Sequence, residues 1–430
     1  MQKERELWLH NADNFATMVE NAGRNAGMQG TLDFIRKYSL GPESIDGQAC
    51  LRELLVQMEL GLSGQGNIPM LPSYLEADIR PAAGERCCVL DAGGTNLRAA
   101  KAEFDAEGNC TITGLRKVPM PGTQGELTAE QFYGKLADCV GDTGRPERIG
   151  FCFSFNVDMD RDLDGTLLAW CKEVRVPDAP GKKVGASLKK ALGTRCKTVR
   201  VLNDSTAALL GAKAQDPEVT LGLILGTGIN ICYPEKLERI PKVPADLRGN
   251  AMIISTEIGE FAGFPRNRFE TAVIQASDDP ALAHGEKQCA GAYLGDIISR
   301  AWQTAAQEGL LEEAFREPVS LPQISDYLAG QETDLPECEM ARIIGKTMVH
   351  RAAKIAAVLT AGPVLRSCEP ENGCKMVIEG SQYTKLAFFG ECFRQELDVL
   401  LQPYGITVAI TQAENACLIG AAVAAFAEEM

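Results

Sequence analysis

The sequence has few of the residues that build metal centres and disulfide frameworks. Its 430 residues include only His10, His284 and His350, and its 15 cysteines form no C-x-x-C pair. Zinc sites need clustered cysteine and histidine ligands at short spacings, so we predict no zinc site. We expect reduced cysteines that pack as small apolar side chains, because no secretory segment indicates an oxidising compartment.

Long apolar runs and an excess of basic residues are missing as well. The opening MQKERELWLHNADN has no apolar stretch of the signal-peptide kind, and no later run is long enough to span a bilayer. We therefore expect a cytoplasmic protein without a membrane partner. Its 43 Lys and Arg face 58 Asp and Glu, a formal net charge of -15. Such a surface repels phosphate backbones, which argues against a nucleic-acid partner.

The chain is long enough for two domains and reads as an α/β protein. With 430 residues and 45% hydrophobic composition it exceeds one typical core. Residues 1–80 look helical, with helical apolar spacing at 51–62, and helices dominate 285–360. Strand and helix patterns alternate elsewhere. Strands are predicted within 86–94, 95–104, 110–118, 148–157, 198–202, 219–235, 375–381 and 405–411, and further helices at 126–140, 204–215, 384–402 and 413–430.

Two glycine-rich turns follow apolar strands. In the first, DAGGTN (91–96), glycines let backbone N–H groups approach phosphate oxygens, and the Asp91 carboxylate can hold Mg²⁺ directly or through water. The second, LGTGIN (225–230), repeats the strand–turn–strand pattern. An ordinary hairpin turn remains an alternative for each. A third candidate, Gly345-Lys346-Thr347, lacks the earlier glycine of a P-loop, and we interpret it as helix interior.

Three acidic residues are candidates for binding a polyol or moving a proton. Asp204 lies where a strand gives way to a helix, so it is either a helix N-cap or a general base. Glu257 lies between segments, and Glu286 begins an amphipathic helix. Solvated or capping acids are the alternative for both.

Taken in order, these motifs resemble those of the hexokinase family of sugar kinases, within the group that shares the actin and heat-shock-chaperone ATPase core. The likeness begins with M-x-x-G-L (58–62) and MLPSY (70–74). DAGGTNLR (91–98) is similar to the family's first phosphate loop, and FSF (153–155) with LAWCK (168–172) to its sugar segment. Asn203-Asp204, GTGIN (226–230), Glu257 and Glu286 follow in the family's order.

The resemblance implies a role for each matching residue. Asp204 would be the base for the sugar 6-hydroxyl, and Lys172 would bind the sugar and steady the transferring phosphoryl group. Asp91 would position Mg²⁺ through water. The other sugar-binding residues would be Ser154, Cys171, Asn203, Asn230, Glu257 and Glu286. The ATP-binding residues would be Asp91, Gly93, Gly94, Thr95, Asn96, Arg98, Gly226, Thr227, Gly228, Gly380 and Ser381.

The resemblance also implies a fold and an activity. We expect the two-domain ribonuclease-H-like (actin-like ATPase) fold, with a cleft that closes over the sugar. The small domain would be 81–203 with helix 413–430 packed back on it, and the large domain 204–412 with the helices of 1–80. The activity would be ATP-dependent phosphorylation of a hexose, with glucose as the expected substrate. The protein would be a monomer or homodimer.

The sequence departs from the family pattern near the sugar. Asn156 replaces a proline, Cys171 a threonine, and Glu379 an aspartate before Gly380. After Glu257, the letters IGEFAG (258–263) replace the usual W-G-A-F-G. These changes bear on which sugar is used more than on the reaction type.

Two other functions compete with the kinase. A non-catalytic sugar sensor on the same fold could lose Asp204 or Lys172, or add a DNA-binding helix pair, but both residues are present and the N-terminal helices lack a basic face. A chaperone-like ATPase would not need Asn203, Glu257 and Glu286 together.

Overall fold

The fold was analysed in a computed structural model that describes residues 26–141, 147–170, 174–194, 196–370 and 373–430. The helices are α1 Ala26–Tyr38, α2 Gly47–Leu62, α3 Ala129–Gly141, α4 Val184–Leu192, α5 Asp204–Gln215, α6 Arg268–Ala276, α7 His284–Cys289, α8 Gly291–Gln307, α9 Leu321–Leu328, α10 Glu339–Ser367, α11 Ser381–Lys385, α12 Phe389–Leu401 and α13 Ala416–Ala424. The strands are β1 Leu71–Pro72, β2 Arg86–Ala92, β3 Asn96–Phe104, β4 Cys110–Pro119, β5 Arg148–Phe153, β6 Asn156–Met159, β7 Gly165–Ala169, β8 Thr198–Leu202, β9 Leu221–Leu225, β10 Ile229–Lys236, β11 Ala251–Ser255, β12 Cys374–Glu379 and β13 Val408–Thr411.

One sheet has the strand order β4-β3-β2-β5-β8. Strands β2, β5 and β8 run parallel, and β3 is antiparallel to β2 and β4. Cys88 and Leu90 of β2 join the core that α3 and α4 complete, whereas Cys87 and Val89 face the core built by α5 and α13. This alternation is the period-two pattern of a strand covered on both faces.

The second sheet has the order β1-β11-β10-β9-β12-β13. Strands β9, β12 and β13 are parallel, and β10 is antiparallel to β9 and β11. Helices α2, α8, α10 and α12 supply the large apolar core beside it. Helices on both sheets make the predicted α/β class correct.

Helices α5 and α13 meet without intervening side chains. A Cβ atom added at Gly420 would lie 1.8 Å from the carbonyl oxygen of Ala207, and one added at Gly211 would lie 1.9 Å from that of Ala416. Glycine is therefore required at both crossing points. The contact holds the C-terminal helix against α5, which carries the candidate base at its first residue.

The structure changes several element predictions. The strand expected at 148–157 is split, because β5 ends at Phe153 and β6 begins at Asn156 after a turn. The helix expected at 384–402 is interrupted at Phe388, which has φ +67°. Within the helical region expected over 1–80, α2 ends at Leu62 and β1 follows inside SGQGNIPMLP (63–72), the segment whose glycines and prolines predict a break. Residues 1–25 lie outside the described residues. Strand β11 was missed, and its near-continuous burial makes it hard to separate from a buried helical segment by periodicity.

Two further sequence predictions have clear outcomes. Gly345-Lys346-Thr347 lies inside α10, as predicted, where Gly345 packs on Leu328 and Trp302. The expectation of reduced cysteines is wrong for one pair, since a disulfide joins Cys368 at the end of α10 to Cys374 at the start of β12. In the part of the chain that the structure describes, no helix is both long and apolar enough to cross a bilayer.

The α5–α13 crossing can be tested by adding one methyl group. We expect Gly420→Ala to lower the free energy of unfolding by at least about 2 kcal/mol, because the methyl group meets backbone that cannot move aside. Gly134→Ala in α3 is the matched control: nothing lies within 4 Å of its added Cβ, so it should be neutral or stabilising by up to about 1 kcal/mol. Urea unfolding measures both. Equal effects of the two variants would contradict the proposed close contact.

Candidate active site

The site begins at the carboxyl ends of three parallel strands. In the pairing of β2 with β5, Asp91 lies opposite Cys152, and in that of β5 with β8, Cys152 lies opposite Leu202. The Ser154 N–H donates to the Ala92 carbonyl at 3.1 Å. Parallel strands end at one edge of a sheet, so Asp91, Ser154 and the Asn203-Asp204 pair are brought together there.

Asp91 is buried beside the first glycine turn. Its side chain is a salt-bridge partner of Arg98, whose Nε donates to Oδ2 at 2.6 Å. The turn is closed by the Gly93 N–H donating to the Asn96 carbonyl at 3.0 Å. The segment is therefore a β-hairpin turn, as one alternative held, and it presents a carboxylate and glycine backbone at the edge of the sheet.

Asn203, rather than Asp204, is the N-cap of α5. The Asn203 Oδ1 accepts hydrogen bonds from the Ser205 N–H at 2.9 Å and the Ser205 hydroxyl at 2.8 Å. Asp204 is the first helical residue and its Oδ1 also accepts from the Ser205 N–H, at 2.8 Å. Because the neighbouring side chain caps the helix, the helix start does not depend on Asp204 for its cap.

A second group of polar residues lies at the ends of β10 and β11. The Asn230 amide nitrogen donates to Glu257 Oε1 at 2.6 Å and to the Ser255 hydroxyl at 3.0 Å, while the Glu257 N–H donates to Asn230 Oδ1 at 3.0 Å. The Ser255 hydroxyl also donates to Glu257 Oε1 at 3.1 Å. The Ser205 and Ser255 hydroxyls lie 3.4 Å apart, so the network continues to Asn203.

Glu286 joins the group from the first turn of α7. Its Oε2 accepts a hydrogen bond from the Ile229 N–H at 3.0 Å, next to Asn230. A Cβ atom at Gly228 would lie 2.4 Å from this oxygen, so the glycine of the second turn makes room for the carboxylate. Gly228 was expected from the sequence to approach phosphate. In the structure it lies against the Glu286 carboxylate.

The environment of Glu257 disfavours its charged form. Desolvation, followed by repulsion from Asp204, raises the pKa of Glu257 to about 7, although hydrogen bonds from Ser255 and Asn230 act in the opposite direction. Its backbone is left-handed, with φ +53°, a conformation that is uncommon outside glycine. Raised acid pKa values and backbone strain both concentrate at functional sites.

The second glycine turn meets a third glycine turn, Gly380-Ser381 at the start of α11, beside the start of α8. The Gly291 N–H at that helix start donates to the Gly226 carbonyl at 2.9 Å, and the Ala292 N–H donates to the Thr227 carbonyl at 3.1 Å. Gly380 has φ +122°, and a Cβ there would lie 2.3 Å from the Leu225 carbonyl oxygen. Gly226, Thr227, Gly380 and the adjoining Ser381 are therefore neighbours.

The residues at this end fit a metal-bound polyphosphate. Burial, opposed by Arg98 and reinforced by Asp91, raises the pKa of Glu379, so this carboxyl group from β12 senses both residues across the cleft. Carboxylate oxygens are the ligands that Mg²⁺ prefers, and glycine turns expose N–H groups to phosphate. Among the residues described, no three His, Cys, Asp or Glu side chains cluster as metal ligands.

A cavity of about 240 Å³ opens between the two groups of polar residues. Its polar wall includes Asn203, Ser255 and Glu257, together with the two departures Asn156 and Glu260. Its remaining walls are mostly apolar. The lining is completed by Pro69, Leu71, Pro72, Ser73, Phe155, Val157, Met159, Leu168, Leu202 and Thr206.

The structure thus assembles most residues predicted from sequence. The residues expected at the sugar, Asn203, Asp204, Asn230, Glu257 and Glu286, lie in one group, and Ser154 lies on the same sheet edge as Asp91. The residues expected at the phosphates lie in two turns, with Gly93, Gly94, Thr95, Asn96 and Arg98 on one side, and Gly226, Thr227, Gly380 and Ser381 on the other. Cys171 and Lys172 lie outside the described residues.

Sequence reasoning missed Ser205 and Ser255, and it identified Glu260 only as a departure from the family pattern near the sugar. The two serines are buried. Ser205 directly follows Asp204, and Ser255 lies two residues before Glu257. That adjacency is the only local signal, because a serine beside a helix start is common for capping reasons alone.

Comparison with known families agrees with this geometry. Two family models, both described as hexokinase, match residues 31–214 and 220–427. The chain belongs to the hexokinase family. The hexose kinase activity and the use of ATP predicted from the sequence are those of this family. The resemblance seen in the motifs therefore extends through both sheets.

Individual hexokinases are similar over most of their length. Hexokinase-1 of Schizosaccharomyces pombe is 29% identical over 403 residues, covering 83% of this chain and 82% of that protein. Hexokinase-2 of Candida albicans is 26% identical over 428 residues, covering 88% of each.

Solved hexokinase structures share the fold. That of Schistosoma mansoni superimposes with a TM-score of 0.79 at 22% identity, covering 93% of this chain and 99% of that one. The ROK hexokinase of Thermus thermophilus gives a TM-score of 0.52 at 19% identity, covering 79% of this chain. The predicted two-domain actin-like ATPase fold is confirmed.

The desolvated Glu257 carboxylate should cost this hexokinase stability at neutral and higher pH. Its folded pKa of about 7 lies above the usual value of 4.5, so the cost is absent below about pH 4.5 and complete above pH 7. We expect Glu257→Gln, which retains an Oε1 acceptor, to raise the free energy of unfolding by about 1 to 3 kcal/mol at pH 8 and little at pH 4.5. Urea titrations at both pH values measure this.

The exposed Glu107→Gln, in the β3–β4 turn, is the control for the substitution itself. A Glu257→Gln effect that is the same at both pH values would contradict a raised Glu257 pKa.

Proposed function

We propose that this hexose kinase transfers the terminal phosphoryl group of ATP to the 6-hydroxyl of glucose. The observation that carries the proposal is the hydrogen-bonded group of Asn203, Asn230, Glu257 and Glu286 beside Asp204, at a cavity between the two sheets. Planar amide and carboxylate groups can each donate to or accept from adjacent sugar hydroxyls. The hexokinase of Schistosoma mansoni, which shares the fold, was solved in complex with glucose.

In this proposal Asp204 is the general base. It stands at the first residue of α5, next to Asn203 of the sugar-binding group, and its Oδ1 accepts from the Ser205 N–H. It takes the proton of the 6-hydroxyl as the oxygen attacks phosphorus. Lys172 is proposed to balance the negative charge that develops on the phosphoryl oxygens. General base catalysis of this kind contributes about 10² to 10⁴ in rate.

ATP is proposed to lie along the three glycine turns. Gly93 to Asn96 approach its phosphates from one sheet, and Gly226 and Thr227 from the other, with Gly380 and Ser381 towards the adenosine. Asp91 would hold Mg²⁺ through water, with Arg98 fixing its carboxylate. The metal would supply charge neutralisation at the phosphates. A glucokinase of Streptomyces griseus, similar at a TM-score of 0.50, was solved with glucose and AMPPNP.

The proposed domain boundaries remain those of the sequence analysis, 81–203 with 413–430 and 204–412 with 1–80. Their junction at 203–204 puts the base at the meeting point. Ser205 and Ser255 both fall in the large domain, and the Ser205 hydroxyl reaches Asn203 of the small one. Closure of the domains over the sugar would exclude water and limit ATP hydrolysis. A cytoplasmic location is proposed with it.

The function is tested by ADP release from ATP and Mg²⁺ with no sugar and with glucose, mannose, fructose or N-acetylglucosamine. We expect strong stimulation by glucose. Stimulation only by another sugar would keep the hexose kinase activity but change the proposed substrate. It would point to Asn156, Cys171 and Glu260 as the cause. Folded protein that binds nucleotide but responds to no sugar would support the sensor instead.

The role of Asp204 has its own test. We expect Asp204→Asn to lower kcat about 10³-fold, because the base is lost, while the melting temperature stays unchanged because Asn203 caps the helix. Asp326→Asn, the same change at an exposed site on α9, should alter neither quantity. Near-normal turnover of Asp204→Asn would remove Asp204 from the mechanism.

A further inference from the structure

The two glutamates of the sugar group stand on segments that are separate in the sequence. Glu257 lies in the left-handed turn after β11, which continues into a short 3₁₀ helix, Ile258–Glu260. Glu286 lies in the first turn of α7, whose preceding residue is Ala283. The distance between the two carboxylates therefore depends on how the 3₁₀ helix is joined to the start of α7.

The backbones of these segments pack closely. A Cβ atom at Gly259 would lie 2.9 Å from the Glu286 Cβ, and one at Gly285 would lie 2.9 Å from the Phe261 carbonyl oxygen. Small residues allow this approach, but they make no directional contact that would fix it. A directional contact has to come from a polar group.

Glu260 supplies that contact. Its Oε2 accepts a hydrogen bond from the Ala283 N–H at 2.7 Å. Ala283 itself has φ +52°, a costly conformation for a residue other than glycine, and it leads into a helix whose first N–H groups need acceptors. The carboxylate thus satisfies a backbone donor and stabilises the backbone conformation from which α7 begins.

Glu260 is also a departure from the family pattern described above. The family pattern W-G-A-F-G has alanine at this position, and alanine cannot accept a hydrogen bond through its side chain. Glu260 lies on the cavity wall with Glu257. The substitution therefore adds a carboxylate where the sugar-binding segments meet.

We propose that Glu260 is a positioning residue of the sugar site, which holds Glu286 at its working distance from Glu257 through the hydrogen bond to Ala283. The proposal rests on the proposed function of these two glutamates. By fixing the start of α7, Glu260 keeps the Glu286 carboxylate on the Ile229 N–H and aimed at the sugar. It acts on sugar binding, because it has no contact with the base or with the phosphate turns among the interactions described for it.

The direct test is the split between KM and kcat. We expect Glu260→Ala to raise the KM for the preferred hexose about tenfold, the size expected for one charge-assisted hydrogen bond, with kcat changed less than about twofold and the KM for ATP unchanged. Glu260→Gln retains a carbonyl acceptor and should raise the sugar KM less than about threefold. Glu260→Asp is shorter and should resemble Glu260→Ala, which keeps the test available if the alanine variant is poorly folded.

A matched control separates positioning from general loss of stability. Asp178 likewise accepts a hydrogen bond from a helix-start N–H, that of Ala129 at 2.7 Å, but that helix is α3 and Asp178 does not line the cavity. Asp178→Ala should lower the melting temperature without changing the sugar KM. A similar KM rise in both variants would overturn the proposal.

A double variant tests whether Glu260 acts through Glu286. In a Glu286→Gln background the added Glu260→Ala should change the sugar KM less than about threefold, since the group it positions has already been altered. A full tenfold rise in that background would show direct contact with the sugar and overturn positioning. An unchanged KM in the single Glu260→Ala variant would also overturn it. If the unaltered protein phosphorylates no hexose, the proposed function fails instead.

Discussion

The site depends on the requirement that buried polar groups find hydrogen-bond partners. Ser205 and Ser255 are buried, and their hydroxyls lie 3.4 Å apart between the start of α5 and the end of β11. Each hydroxyl also has a partner on its own segment, the Asn203 Oδ1 for Ser205 and the Glu257 Oε1 for Ser255. An unpaired buried polar group costs about 1 to 3 kcal/mol, so each serine favours one orientation of the amide or carboxylate beside it. The network therefore holds the amide and carboxylate groups in one arrangement before any sugar is present.

That arrangement has an electrostatic cost. Desolvation of Glu257 and repulsion from Asp204 raise its pKa to about 7, so the charged form of Glu257 is disfavoured in the folded protein. A bound polyol would offer hydroxyl donors to these acids in place of lost water. Such a site gives up folded-state stability for a preformed set of acceptors, a common trade at functional positions.

Sequence reasoning predicted the elements well wherever a pattern was local. Strands β2 and β3 and the turn between them follow from VLDAGGTNLRAAKAEF (89–104), and the helix at 204–215 follows from its preceding strand and capping residues. It failed where tertiary packing overrides pattern: Phe388 interrupts a helix with a left-handed residue, and β11 is too buried to show alternation. The disulfide between Cys368 and Cys374 depends on the distance between the end of α10 and the start of β12, which composition does not give.

By itself the sequence determined the α/β class, the ordered set of motifs and hence the family, because strand ends, glycine turns and acids recur at readable positions along the chain. Only the tertiary structure decided that Gly228 makes room for Glu286. It alone showed that Glu260 joins two distant segments. Such contacts depend on distances between residues far apart in the chain, which no local pattern encodes.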